Sequence, residues 1–313
     1  MIISLNSREL LLLLVIPILF SCIGENCSTC SQESNYKEQY RVNFLGNYAI
    51  TKSASVFPAG VETSIFTYYS GEDPSLKKEH LDTPLKAISN LSGNLILANN
   101  FALYLAPGYY DFYAVSTNYS SLNGLSFTMG QSNSLKNGVD YLWAQSRDIT
   151  ICGHSNIKFN FVHVAAAIII ELNTQTYSKA HLEQASLSRA TIGIPTTNQI
   201  LKLATGKITP AKSTSALRAE MFTNNNKASY IILPLKENVD IPIELDITTI
   251  SNSNQESKER YYCTLPSPPN GFQGGVQYRY RTSISQKKIV FENAAVEQWN
   301  QKEIANTTLS EKK

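Results

Sequence analysis

Charged side chains are scarce in this sequence, and they gather in no long block of one sign. They make up 17% of the 313 residues, as 27 basic and 25 acidic side chains with a formal net charge of +2. Proteins that bind nucleic acid concentrate Lys and Arg on one face, so we predict no nucleic-acid partner. Abundant Tyr, Ser, Thr and Asn, with so little charge, are typical of exported β proteins whose strand faces are polar but uncharged.

Residues arranged for catalysis or cofactor binding are also missing. The four histidines stand in none of the spacings typical of zinc sites: His80, His154, His163 and His181. Neither a Gly-rich phosphate-binding motif nor a Gly-x-Ser-x-Gly motif occurs, and no pair of carboxylates stands out. His163 alternates with Phe159 and Phe161 on an apolar strand face, which favours a core or interface histidine over a catalytic one. We therefore predict no cofactor, no metal and no enzyme activity.

Only one apolar run exceeds ten residues, and it lies at the beginning of the chain. It covers residues 10–20, whereas a membrane-spanning helix needs about 20 residues. Such a short run near the start is typical of the hydrophobic region of a secretory signal. The residues at its end, Leu19-Phe20-Ser21-Cys22, resemble the lipobox of bacterial lipoproteins. In that family the cysteine thiol receives a diacylglycerol, and the chain is cut just before it.

This end of the sequence predicts an exported, lipid-anchored protein. Residues 1–21 are the predicted signal peptide, Cys22 is the predicted lipidation site, and residues 22–38 are a flexible tether. Several acyl chains, as bacterial lipoproteins carry, would hold the protein firmly, because a single chain anchors only marginally. The alternative is an ordinary signal peptide with Cys22 as an incidental thiol.

The four other cysteines form no redox or metal motif in a fitting context. Cys27 and Cys30 form a Cys-x-x-Cys in the polar tether, without the strand and helix that flank a thioredoxin-type motif. We predict that they are tether thiols, which can pair in an oxidising compartment. Cys152 and Cys263 are far apart in the sequence, which leaves open whether they are buried thiols or a disulfide.

Alternation of apolar and polar residues with a period of two dominates the rest of the chain. Tyr40, Val42 and Phe44 fall on one face of the first such segment, with polar residues on the other. Short segments of this kind, separated by turn residues about every ten positions, are typical of β-sandwiches. They form two successive series that join near residues 148–156. We predict an all-β fold of two tandem β-sandwich domains, residues 39–150 and 151–313.

Five stretches, taken in order, resemble the fimbrillins of Bacteroidales, of the Mfa-like type that forms pilins, tip pilins and anchor subunits of type V pili. They are the lipobox ending in Cys22; VNFLGNYAITKSASVFPAG with SIFTYY; LAPGYYDFYAVS; IKFNFVHVAAAIIIEL; and GGVQYRYRTSISQKKIVFENAAVEQW. The fourth is similar to the family's Phe-x-His strand. The fifth is similar to the family's ending, in which a Gly-x-x-Tyr-x-Tyr strand, an isoleucine strand and a final tryptophan follow one another.

The resemblance implies transthyretin-like, Greek-key sandwiches and a structural role in a pilus. Family precursors reach the outer membrane as lipoproteins, where a trypsin-like protease cuts behind the first strand and releases it with its lipid. The emptied groove then accepts a strand from the next subunit. In this sequence the removable strand corresponds to residues 40–51, and the cut falls between Lys52 and Ser53. The side chains expected to plug the groove are Tyr40, Val42 and Phe44.

The resemblance also indicates partners, and one residue departs from the family pattern. The expected partners are other pilus subunits, the outer membrane through the lipid, and host or bacterial surface ligands. Lys52 stands where family members cut by arginine-specific proteases have Arg. Either the protease accepts lysine, or the strand stays and the protein is a permanently lipidated anchor or stand-alone surface subunit.

An alternative function is that of a monomeric surface lipoprotein that binds glycans or host ligands. The sequence contains only two tryptophans, Trp143 and Trp299, as candidate stacking residues for sugar rings. Tyrosines at alternate strand positions are typical of sheet-face packing rather than of a sugar platform. Stalk, tip and anchor subunits are not distinguished by the sequence.

Overall fold

The computed structural model describes residues 38–49, 55–81, 83–122, 124–173, 182–196, 198–251, 253–285, 288–292 and 294–299. Strands account for most of these residues, and the predicted all-β, sandwich-like fold is confirmed. Helical structure in these ranges is limited to one 3₁₀ turn, Ala98–Asn100. The same ranges contain no helix long and apolar enough to cross a membrane.

The described part of the N-terminal half contains eleven strands: β1 (Tyr40–Tyr48), β2 (Ser55–Val56), β3 (Glu62–Tyr69), β4 (Leu85–Ser89), β5 (Asn94–Leu97), β6 (Leu103–Leu105), β7 (Gly108–Ser116), β8 (Phe127–Thr128), β9 (Gln131–Ser132), β10 (Leu142–Ile151) and β11 (Ser155–His163). All except β8 and β9 belong to one sheet with the order β11-β10-β7-β3-β4-β5-β1-β2, and β6 also pairs with β1. Because β1 pairs with β11 as well, the sheet closes on itself around a single core.

The described part of the C-terminal half contains twelve strands: β12 (Ala166–Leu172), β13 (Leu182–Pro195), β14 (Leu201–Lys202), β15 (Lys207–Ile208), β16 (Thr214–Glu220), β17 (Phe222–Asn224), β18 (Lys227–Ile232), β19 (Ile241–Ser251), β20 (Glu256–Leu265), β21 (Val276–Ser285), β22 (Lys288–Phe291) and β23 (Ala295–Gln298). One sheet has the order β17-β18-β12-β21-β22, with β23 on β21, and another has the order β16-β13-β19-β20. Side chains from both sheets form one core, so this half is a two-layer sandwich.

A small four-stranded sheet connects the two halves. Its order is β15-β14-β9-β8, so β8 and β9 from the first half pair with β14 and β15 from the second. The Leu201 amide donates to the Ser132 hydroxyl (2.8 Å), and the Trp143 indole N–H donates to the Leu203 carbonyl (2.7 Å). The halves are therefore joined by hydrogen bonds as well as by the chain itself.

The two cores differ in composition. The first is rich in aromatic rings, which include Phe44, Tyr48, Phe57, Tyr110, Phe112, Phe159 and Phe161. The second consists largely of aliphatic side chains, which include Ile168, Ile170, Ile192, Ile241, Ile243, Leu245 and Ile247. Both cores are formed by every second residue of their strands, because successive side chains of a strand point to opposite faces of its sheet.

The chain leaves the first sheet after β11. β10 crosses the domain boundary predicted between residues 150 and 151, and β11 lies beyond it. The two strands pair with each other, and β11 also pairs with β1. β12 pairs instead with β18 and β21, so the change of sheet occurs at residues 164–165. By hydrogen bonding, β11 groups with the N-terminal strands, and the division into domains stays a prediction.

Cys152 and Cys263 are thiols, and no disulfide joins them. Cys152 follows β10 in the first half, whereas Cys263 lies on β20 in the second. Burial raises the pKa of the Cys263 thiol to about 12, which disfavours the reactive thiolate. Cys27 and Cys30 lie outside the described residues.

Candidate strand-exchange site

β1, the strand predicted to be removable, lies between β11 and three shorter strands. It runs parallel to β11 over seven residue pairs, from Val42 opposite Ser155 to Tyr48 opposite Phe161. On its other edge it meets β6 over three pairs, β5 over two and β2 over two. One edge of β1 is therefore paired continuously, and the other is covered by short separate contacts.

A cavity opens where this second edge is interrupted. Between β5 and β6 the turn Ala98–Asn100 separates the two strands that contact β1. A cavity of about 170 Å³ lies there, lined by residues of β1, by β5 and by Asn100, Phe101 and Ala102. Within the described chain, Asn43 has no strand partner on this edge. The cover over β1 is thus incomplete in its middle.

The predicted plug residues lie on the core side of β1, with one difference among them. Val42 and Phe44 are buried, at 2% and 3% exposed. Tyr40 is only half-buried, and its hydroxyl donates to a Glu38 carboxylate oxygen (2.9 Å). The Phe44 ring stacks on Phe159, with 5.8 Å between ring centroids, and meets Phe112 edge-on at 5.7 Å. Full burial of a side chain of this kind contributes about 1.5–3 kcal/mol.

Two further residues of β1 face the same core and were not among the predicted plug residues. Gly46 leaves room for two rings, since a Cβ atom there would lie 3.2 Å from Phe57 and 3.3 Å from Phe161. Tyr48 is buried and packs against Phe57, with 5.3 Å between ring centroids. A signal for both exists in the sequence, because the alternation that places Val42 inward continues to residues 46 and 48.

The hydroxyl of Tyr48, the last residue of β1, belongs to a polar cluster. The hydroxyl donates to Asn118 Oδ1 (2.8 Å), and the Asn118 side-chain amide donates to Asp140 Oδ2 (2.8 Å). The other oxygen of this carboxylate, Oδ1, lies 2.7 Å from His163 Nδ1. The His163 ring in turn stacks on the Tyr48 ring, with 5.8 Å between centroids. We call these four residues the Tyr48 cluster; they form a closed circuit of contacts.

Trp299 also stacks on His163. The two ring centroids are 4.2 Å apart and the ring planes differ by 11°. The indole packs against Ala167, Ile169 and Ile231, which lie on the face of their sheet turned away from the second core. Its N–H is buried without a hydrogen-bond partner in the described part of the chain. His163 therefore contacts both the last residue of β1 and the residue that follows β23, as an interface histidine does.

Three predicted site residues lie outside the described residues: Cys22, Lys52 and Ser53. β1 ends at Tyr48 and β2 begins at Ser55, so Lys52 and Ser53 fall between these two strands in the chain. Lipidation and processing stay predictions.

Both tryptophans, the candidate stacking residues for a glycan, are engaged within the protein. Gly206 lies against the Trp143 ring, where an added Cβ atom would fall 2.4 Å from the ring carbon Cδ2. The Trp143 N–H donates to the Leu203 carbonyl, and the Trp299 ring is stacked on His163. Neither indole is therefore a free platform with both faces open.

A cleft of about 860 Å³ lies at the junction of the two halves. Its apolar lining includes Trp143 and Phe272, and its polar lining includes Lys207, Lys236 and Gln273. Small-molecule sites commonly measure about 300–1,000 Å³ and combine an apolar lining with a few polar groups. Among the described residues, no group of three or more His, Cys, Asp or Glu side chains could hold a metal ion.

A sequence model of the family described as fimbrillin-like matches residues 37–299. The match includes every strand described above. No curated protein is significantly similar to the chain in sequence.

Solved structures of low sequence identity share the fold. A candidate cell adhesion protein from Bacteroides uniformis gives a TM-score of 0.58 at 14% identity, over 85% of this chain and 100% of that one. A candidate cell adhesion protein from Bacteroides ovatus gives 0.57 at 15% identity, over 84% and 98%. A fimbrial protein from Bacteroides vulgatus gives 0.54 at 10% identity, over 84% and 100%. At such identities the likeness is one of fold.

Proposed function

The chain belongs to the fimbrillin-like family, and we propose that it is a structural subunit, whether stalk, tip or anchor, of a type V-like fimbria. It is exported as a lipoprotein, loses its first strand to a surface protease and is assembled by strand exchange. The observation that carries the proposal is the placement of β1, which is paired continuously on one edge only while Val42 and Phe44 fill the first core. Its removal would leave β11-β10-β7-β3-β4-β5 paired in order, and of the described strands only β2 and β6 would lose their strand partner.

Removal of β1 would leave both an open strand edge and an apolar groove. β11 would lose seven residue pairs, and the rings of Phe112 and Phe159 would lose their contact with Phe44. An incoming strand restores backbone hydrogen bonds to the edge and fills the groove with alternate side chains, which is recognition by β-augmentation. The partners are other subunits of the same fibre, and the location is the cell surface.

Cys22 is proposed to hold the precursor at the outer membrane until the chain is cut after Lys52. Mass spectrometry of the N-terminus, on protein isolated from cells, tests this order of events. A chain that begins at Ser53 is the expected result for a polymerised subunit, and a lipidated Cys22 is expected for an uncut anchor subunit. A mature chain that begins at Cys22 without lipid contradicts the proposed route.

Assembly is tested by native proteolysis of the purified chain without its signal peptide. A brief treatment with a lysine-specific protease should cut after Lys52 and produce a ladder of oligomers that resist detergent. The Lys52→Gln variant is the matched control, and it should stay monomeric under the same treatment. A chain that is cut after Lys52, loses β1 and still remains monomeric at high concentration contradicts assembly by strand exchange.

The cleft at the junction favours a second candidate function, the binding of a glycan or host ligand by a surface lipoprotein. Its exposed lysines and amide side chains suit the hydroxyl and carboxylate groups of an acidic sugar. A glycan array probed with the intact chain and with the Lys236→Ala and Gln273→Ala variants tests this function. Binding that both variants lose would support it, whereas an array without any bound glycan would remove it.

A further inference from the structure

A strand that fills the groove has to satisfy the Tyr48 cluster as well as the apolar core. We propose that Asn118, Asp140 and His163 form a binding site for a tyrosine side chain, and that the strand inserted by a neighbouring subunit carries a tyrosine at this place. The inference rests on the proposed function and specifies its partner by chemistry. That partner is an extended strand with apolar residues at alternate positions and a tyrosine at the position of Tyr48.

Three of the four cluster residues remain in place when β1 leaves. Asn118 follows β7, Asp140 precedes β10 and His163 ends β11. Their contacts with one another do not involve β1: the Asn118 amide side chain donates to Asp140, and Asp140 lies beside His163. Backbone and ring contacts add to this, since the Asn118 backbone N–H donates to the Ser116 hydroxyl (3.1 Å) and Trp299 stacks on His163. The site is therefore organised before a tyrosine enters it.

The site recognises both parts of the tyrosine side chain. The ring stacks on His163, and the hydroxyl donates to Asn118 Oδ1. Phenylalanine keeps the ring but leaves this oxygen without the hydroxyl donor, and leucine loses the stacking as well. Sites built around a hydroxyl discriminate against analogues that lack it, because the polar partner, here the half-buried Asn118, then loses its hydrogen bond.

Gly46 adds a second requirement, two residues before the tyrosine. A Cβ atom there would lie 3.2 Å from Phe57 and 3.3 Å from Phe161, so a larger residue would force one of these rings to shift. Both rings belong to parts of the chain that follow β1. The end of a fitting strand therefore reads Gly-x-Tyr, as Gly46 to Tyr48 do here.

Hydrogen exchange in the intact chain tests the tyrosine site without any cutting. In the Tyr48→Phe variant the amides of β1 should exchange about tenfold faster, because opening of β1 no longer breaks the bond to Asn118. Asn43→Ala is the matched control, since it removes a polar group from the exposed face of the same strand. It should change the rates by less than about twofold. Equal exchange rates in the two variants would overturn the site.

Peptide replacement tests the partner. The chain is cut after Lys52 and incubated with synthetic peptides of residues 38–51, either unchanged or with Tyr48→Phe or Asn43→Ala, and uptake is measured by mass. The unchanged peptide should be taken up about tenfold more than the Tyr48→Phe peptide, and the Asn43→Ala peptide should be taken up about as well as the unchanged one. Equal uptake of the Tyr48 and Tyr48→Phe peptides refutes the inference while strand exchange stands. A cut chain that takes up no peptide contradicts strand exchange itself, and with it a tyrosine from a neighbouring subunit.

Discussion

β1 and β12 hold corresponding places in the two halves of the molecule, but they are fixed in different ways. Each begins its half, and each pairs in parallel with a late strand of that half, β1 with β11 and β12 with β21. β12 has six residue pairs on each edge, with β18 and β21. β1 has seven pairs on one edge and only short contacts with β2, β5 and β6 on the other.

This difference bears on the proposed removal of β1, because the two sheets would be left in different states by the loss of the strand. β12 lies in the middle of its sheet and follows β11 after only residues 164–165, so its removal would split the sheet in two. Removal of β1 opens the closed sheet but leaves β11-β10-β7-β3-β4-β5 paired in order. The two parallel pairs thus share a topology but differ in what the removal of β1 or β12 would leave behind.

The largest predicted effect is that of emptying the groove at Phe44. Phe44→Ala should lower the free energy of unfolding by about 3–5 kcal/mol, because the truncation leaves a cavity between Phe112 and Phe159. Guanidinium unfolding followed by fluorescence measures the change. Asn43→Ala, on the exposed face of the same strand, is the control and should stay within about 0.5 kcal/mol. A loss below about 1 kcal/mol for Phe44→Ala would show that β1 is not seated as described.

A core substitution in β12 should lower the free energy of unfolding nearly as much, but it should not change the rate at which a cleaved β1 dissociates. Ile170→Ala is expected to lower the unfolding free energy by about 2–4 kcal/mol, since Ile170 is fully buried in the second core. After cleavage behind β1, the strand should dissociate at the unaltered rate in Ile170→Ala and faster in Phe44→Ala. If β1 dissociated equally fast in the two variants, the packing of the second core would also determine how firmly β1 is bound in the first.

The first half should lose stability as the pH rises, because of Glu79. Burial raises the pKa of this carboxyl from 4.5 to about 7 in the folded chain. Between these values the folded state keeps a proton that the unfolded state has released, so stability falls as the pH rises from 4.5 towards 7. The expected loss is on the order of 1 kcal/mol, because Glu79 is partly exposed and water screens it. Glu79→Gln should remove the slope from a series of unfolding curves across this range.

The second half should show a smaller effect of opposite sign, at Asp246. Two hydrogen bonds from the Arg260 guanidinium, of 2.6 and 2.9 Å, lower the pKa of this carboxyl. Its contribution is therefore present above the ordinary pKa of 3.8 and is lost as the pH falls through the lowered value. Asp246→Asn should cost less than about 1 kcal/mol at neutral pH, as exposed ion pairs do. A cost that persists in strong acid would point to packing rather than charge.

The inward face of β1 is predictable from the sequence, but its neighbours are not. Alternation is a local property, and it places Val42 and Phe44 on one side of the strand before any partner is known. The parallel pairing with β11 joins segments far apart in the chain, which periodicity does not reveal. Asn118 and Asp140 come from irregular segments outside the strands, so no repeating pattern leads from Tyr48 to them.

The position of β11 has a similar explanation. A new series of alternating residues after residue 150 predicts the start of a second domain there. In the structure, Ile157, Phe159 and Phe161 point into the aromatic core of the first half. Their rings complete that core beside Phe44 and Phe57, whereas the aliphatic second core begins with β12. Alternation shows which side of a strand is buried, but it does not say in which core.

The small sheet of β8, β9, β14 and β15 bears on the mechanics of the molecule. If residues 164–165 were the only connection, each half could rotate relative to the other about this short segment. The Leu201 and Trp143 hydrogen bonds join the halves at a second place, and this restricts the rotation of one half relative to the other. A filament assembled by the proposed strand exchange would therefore bend at the junctions between subunits rather than between the halves of one subunit.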